Sequence, residues 1–139
     1  MEPTVCTYAT NCGYALAHMG KAEEAIPFLK RAITADPEDG YAYVILGDAL
    51  RRLGREEEAV KEFREGKRRL EIQLRASPHS THLLGWAEGV CQRLSEYDAM
   101  ATFSRRKRES VREAYLGAAT DELVAGMDSG IVRSGELQD

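Results

Sequence analysis

At 139 residues the chain is one domain's worth of polypeptide, long enough to bury a core. Its hydrophobic fraction of 43% and charged fraction of 30% suit a globular protein, and a net charge of −4 speaks against a general nucleic-acid binder, which would be basic. No apolar run approaches the roughly 18 residues of a membrane span, and the start MEPTVCTYAT lacks the basic and apolar regions of a signal peptide. The three cysteines, Cys6, Cys12 and Cys91, are an odd number without a secretion signal; free thiols in the cytoplasm are the expectation.

After a short lead-in ending at Pro3, the first helix is predicted from about Thr4 to Met19. Tyr8, Ala9, Cys12, Ala15, Leu16 and Met19 recur in steps of three and four along one face. Gly20 follows, a residue suited to a left-handed helix end. The second helix runs from about Ala22 to the Asp36-Pro37 stop, with Ala25, Ile26, Leu29, Ala32 and Ile33 inward and Pro27 near its first turn.

A third helix spans about Asp39 to Leu53, with Tyr43, Leu46, Gly47, Leu50 and Leu53 inward and Gly54 as its stop. The fourth opens on the acidic turn at Glu56 and keeps Ala59, Val60, Phe63, Gly66, Leu70 and Leu74 on one face. Its end, Ala76-Ser77-Pro78, comes 41 residues after Ala35-Asp36-Pro37, not 34. Seven residues are about two helical turns, so the stripe stays in phase and the helix is expected to be longer and to protrude.

A fifth helix covers about Ser80 to Leu94, with Leu83, Trp86, Ala87, Val90 and Leu94 as its stripe. A sixth, N-capped by Ser95, starts near Glu96 and carries Ala99, Met100 and Phe103 inward. It runs on through Val111, Ala114, Tyr115 and Ala118, either as one long helix or with a break near Gly117. From about residue 127 two glycines and two serines without a period predict a disordered tail over 127–139.

One offset organises these elements. Shifted by 34 residues, Gly13 falls on Gly47, Gly20 on Gly54, Ala25 on Ala59 and Leu29 on Phe63. Self-similarity at that period marks a helical solenoid. The pattern resembles the tetratricopeptide repeat (TPR) family. Repeat one carries Ala9, Cys12-Gly13, Leu16, Ala25, Leu29, Ala32 and Pro37; repeat two carries Tyr43, Leu46-Gly47, Leu50, Ala59, Phe63 and Gly66, with a late proline. A degenerate third has Leu83, Trp86-Ala87, Val90, Ala99 and Phe103, but lacks the inter-helix glycine and has Arg106 in place of a small residue.

The resemblance implies an all-α fold, a right-handed superhelical stack of antiparallel helix pairs with a long C-terminal helix. Residues 1–126 would form one domain, with repeats at about 6–39, 40–79 and 80–108 followed by a capping helix. It also implies a non-enzymatic scaffold that holds a partner protein's peptide or helix in a concave groove lined by the first helix of each pair. Position within the repeat puts Thr7, Thr10, Asn11 and Tyr14 there, then Tyr41, Val44, Ile45, Asp48 and Arg51, then Leu84 and Glu88. The Lys/Asn/Arg clamp with which some TPR co-chaperones hold acidic C-terminal tails is missing, since its positions carry Thr10, Tyr14, Ile45, Thr81 and Gly85. Tyr14, Tyr41 and Asp48 favour an apolar or mildly basic peptide.

Two basic runs, 67–69 and 105–108, leave open a nucleic-acid-associated repeat, although glutamates surround both and a solvated face is the simpler reading. A regulatory subunit of an enzyme complex and a homo-oligomer also stay open. His79, His82 and Cys91 do not complete a four-ligand metal site, and no nucleophile–base grouping or phosphate loop stands out. Neither cofactor nor metal is expected.

Overall fold

The computed structural model describes residues 5–128, and all regular structure among them is helical. The helices are α1 (Val5–His18), α2 (Ala22–Ala35), α3 (Gly40–Arg52), α4 (Glu56–Ala76), α5 (Thr81–Arg93) and α6 (Tyr97–Asp128). Each odd helix packs most extensively on the even helix that follows it, and the pairs stack in chain order through α2 on α3 and α4 on α5. The lead-in at residues 1–3 and all but the start of the expected tail lie outside the described residues; α6 continues as one helix through Gly117 to Asp128.

Within each of the first two pairs a glycine sets the distance of closest approach. A methyl group on Gly13 would sit 2.5 Å from Leu29 Cγ, and one on Gly47 would sit 2.5 Å from the Phe63 ring. The large side chain of the second helix fills the space the glycine leaves. Leu29 and Phe63 are both fully buried as a result.

The three hairpins turn in the same way. Lys21 N–H reaches back to Leu16 O at 2.9 Å, Arg55 N–H to Leu50 O at 3.0 Å and Glu96 N–H to Cys91 O at 2.9 Å. This six-to-one bond closes a helix end whose next residue is left-handed. That residue is Gly20 (φ 79°), Gly54 (φ 76°) and, in the third pair, Ser95 (φ 59°). Ser95 therefore ends α5 and does not cap α6. It stands where the first two pairs have glycine, in a backbone region that disfavours any side chain.

The two extra turns of α4 do not protrude. Leu70 and Leu74 are buried, and Leu74 joins Leu84, Ala87, Cys91 and Phe103 in the core of the third pair. Gln73 Oε1 accepts the Gly40 N–H at 3.1 Å, so the extension also satisfies a free donor at the start of α3.

Candidate functional site

α3 lies in the middle of the stack, and its burial follows from that position. Every residue from Ala42 to Gly47 is buried. Val44, assigned to the groove by its place in the repeat, is fully buried, and a methyl on Gly66 would sit 2.9 Å from its Cγ2. Ile45 and Leu84 are buried as well. A helix flanked by neighbours on both sides presents apolar residues around most of its circumference, and only a narrow strip stays open. On α3 the open residues are Tyr41, Asp48 and Arg51, all half-buried, and the exposed Arg52 at its end.

Four of the expected groove residues come together in one cleft of about 360 Å³, namely Thr7, Thr10 and Asn11 from α1 and Tyr41 from α3. Thr10 is the buried one of the four. His82, Leu83 and Trp86 of α5, Leu70 and Gln73 of α4, and Asp39 complete its lining.

The aromatic side of the cleft is a short stack. The rings of Tyr41 and Trp86 have centroids 4.0 Å apart at 55°. Trp86 Nε1–H donates to His82 Nε2 at 3.2 Å, which fixes that imidazole nitrogen as an acceptor because indole can only donate. Burial pushes the Tyr41 phenol up to about 12, with Tyr14, Asp39 and Asp48 adding to the effect. Tyr41 is thus a neutral hydroxyl at any ordinary pH.

Asp39 supplies the negative charge of the cleft. It caps α3 by accepting the Tyr41 N–H at 3.2 Å. Burial raises its carboxyl above the ordinary value; that hydrogen bond pulls the other way, Asp36 adds to the rise, and His82 opposes it. No lysine or arginine is among the lining residues.

The remaining expected residues lie outside this cleft and serve other contacts. Tyr14 packs against His18, centroids 4.1 Å apart. Asp48 holds Arg93 of α5 in a fork, 2.6 Å to Nε and 2.8 Å to Nη2, and so works as a strut between the second and third pairs. Arg51 pairs with Glu56 and also donates to the Arg93 carbonyl. Glu88 accepts from Ser104 Oγ at 2.6 Å, which lowers its pKa, and faces Lys107 at 3.5 Å. Sequence reasoning read Trp86 as packing, weighed His82 as a metal ligand, and left Asp39 and Gln73 unassigned. The signal for Gln73 was the length of α4, which carries it to the start of α3.

The basic run at 67–69 is matched by carboxylates. Lys67 pairs with Glu96, Arg68 with Glu65 at 2.8 Å, and Arg69 with both Glu65 at 2.8 Å and Glu38 at 2.5 Å. In the second run, Arg106 lies over the Phe103 ring at 5.7 Å and Lys107 faces Glu88. Among the described residues no cluster of three or more metal-ligating side chains is found, and no helix is long and apolar enough to cross a membrane.

A family model described as the bacterial transcriptional activator domain matches residues 4–83, from the start of α1 into α5. The chain belongs to that family. Its architecture is the TPR-like helical repeat that the 34-residue offset announced. A small glutamine-rich tetratricopeptide repeat-containing protein 2 from Mycosarcoma maydis is 36% identical over 66 residues, which are 48% of this chain and 19% of that protein. The chain therefore spans about a fifth of that relative's length. A point mutant of MamA, among solved structures, shares 21% identity over 78% of this chain and 74% of its own, with a TM-score of 0.45. The bacterial transcriptional activator domain thus occupies α1 to α4 and the first turn of α5, while most of the third pair lies beyond the matched residues.

Proposed function

We propose that this chain is a non-enzymatic interaction module that holds a segment of a partner protein in the cleft between α1, α3 and α5. The observation that carries this reading is the cleft itself: an exposed polar edge of Thr7 and Asn11, a Tyr41–Trp86 aromatic wall, and Asp39 as the one acidic residue among its described lining residues. Such a surface suits a segment with one apolar side chain against the rings and a lysine or arginine toward Asp39. An aromatic face attracts a cation by its quadrupole, and a carboxylate adds to that attraction. The family name ties its members to transcriptional activation. Within such a setting this chain's contribution is protein docking, because its first basic run is already matched by glutamates.

The chain has a single tryptophan, and it forms a wall of the cleft. Its emission is therefore a direct reporter. Two synthetic peptides of equal apolar content, one lysine-bearing and one glutamate-bearing, distinguish the cases. The lysine peptide should shift Trp86 emission in a saturable way, and Tyr41→Ala should weaken its binding about tenfold without loss of helicity, equal to about 1.4 kcal/mol. No shift with either peptide rejects the cleft as the docking site.

A further inference from the structure

The second half of α6 is a helix without a packing partner among the described residues of its own chain. Its last buried side chain is Ser110, and from Val111 to Gly126 the helix is exposed at every position but the last. Val111 is 52% exposed and Tyr115 73%. A helix this long gains little from backbone bonding alone in water and takes its stability from packing an apolar face. The face on offer is specific. Arg108, Val111, Tyr115, Ala118 and Glu122 follow in steps of three and four, which places them on one side. That side opens as a cleft of about 470 Å³ where α6 passes α5, lined by Glu88, Lys107, Arg108, Val111, Arg112 and Tyr115.

Charge is divided along the same helix. Over residues 104–112 it carries Arg105, Arg106, Lys107, Arg108 and Arg112 against one carboxylate, Glu109. Over residues 113–127 it carries Glu113, Asp121 and Glu122 and no cation. A second α6 laid parallel would set cations on cations. Laid antiparallel, it sets the acidic half of each on the basic half of the other.

We propose that α6 of one chain pairs antiparallel with α6 of a second copy, about a two-fold axis at Tyr115. Isologous pairing of this kind uses the same patch on both subunits, so one complementary contact occurs twice. With Tyr115 at the axis, Arg108 of each copy lies level with Glu122 of the other, seven residues to either side. Val111 then meets the small side chains Ala118 and Ala119 across the axis, which leave room for the tyrosine rings. The surface is separate from the cleft of α1, α3 and α5, so the assembly presents two such clefts.

Sedimentation equilibrium of the intact chain tests this. The expected species has twice the 15.5 kDa chain mass and dissociates as salt is raised. Arg108→Glu and Glu122→Arg each place like charges across the axis twice, and each should weaken the dimer at least tenfold with unchanged helical circular dichroism. Both positions are solvent-exposed, so neither change disturbs the core. Mixing the two variants restores opposite charges at both contacts and should restore a dimer containing one of each. A monomeric wild type overturns the proposal and leaves this face to a different protein. Variants that stay dimeric, or a mixture that stays monomeric, overturn it equally.

Discussion

The first two helix pairs and the third follow one repeat pattern but are built to different tolerances. In α1 to α4 the glycines are contact points. A methyl would come within 2.5 Å of the facing side chain at Gly13 and Gly47, and on Gly40 it would sit 2.7 Å from the Gly66 carbonyl oxygen. In α5 and α6 the glycines meet at most the far end of a long side chain, and at Gly89 a methyl would sit 3.0 Å from Arg93 Nη1. A methyl on Gly85 would find only the end of Lys107 at 3.6 Å, and one on Gly117 would find nothing within 4 Å. The same residue type is a structural requirement in one region and a source of looseness in the other. The tight region coincides with most of the family match, and the loose one carries the unpartnered helix.

The largest test removes the centre of the tight region. Phe63→Ala should cost about 4 kcal/mol, since the ring is fully buried and Gly47 leaves a gap that cannot collapse. Phe103 holds the matching place in the third pair and is slightly exposed. Phe103→Ala should cost less, about 3 kcal/mol. It should also uncouple the unfolding transition into two steps, because contacts in a stack run mainly between neighbours. Chemical denaturation followed by circular dichroism and by Trp86 emission reads both.

A sharper test uses the glycines themselves. Gly47→Ala should destabilise by about 2 kcal/mol through overpacking against Phe63. Gly85→Ala should stabilise by about 1 kcal/mol, because α5 gains helix propensity and the methyl meets no obstacle. Thermal midpoints that move in the same direction would show that the two regions are not packed differently. Ser95→Gly tests the shared turn on the same scale. It should stabilise by about 1 kcal/mol by relieving a left-handed serine at φ 59°.

These contrasts explain what could be read from the sequence. The helix spans follow from local signals: Gly20, Gly54 and Pro37 are punctuation that acts within a few residues. The packed pairs follow from the 34-residue offset. Groove membership was harder, because repeat position tells which way a residue faces in a single hairpin but not how much a neighbouring hairpin covers. Val44 was assigned to the groove by repeat position and is buried by the stack. Asp48 was assigned there too, and Arg93, distant in sequence, takes both of its oxygens. The cleft was half legible for the same reason. Thr7, Thr10, Asn11 and Tyr41 follow from repeat position, while Asp39, Gln73, His82 and Trp86 reach it from a cap, an extended helix end and a third pair that departs from the pattern.

The smallest predicted effect is the pH dependence of the ion pairs that edge the tight region. The guanidinium of Arg68, followed by that of Arg69, holds the Glu65 carboxyl down to about 2 from an ordinary 4.5. A carboxylate whose pKa is depressed by folding adds stability that is complete above its unfolded value and is lost as pH falls through the folded one. The window for Glu65 thus runs from about 4.5 down to about 2. Glu62 and Asp39 oppose it: burial raises both, so their contribution is present at low pH and is lost as pH rises. Glu65→Gln should therefore flatten the acid limb of a stability-against-pH curve by lowering its neutral plateau, only slightly because part-exposed pairs of this kind are screened, and should leave stability at the acid end of that window unchanged. Glu88→Gln should flatten it too, with Ser104 rather than an arginine as the main cause. A larger change from Glu88 than from Glu65 would place the stronger electrostatic anchor in the third pair and reverse the contrast between the two regions.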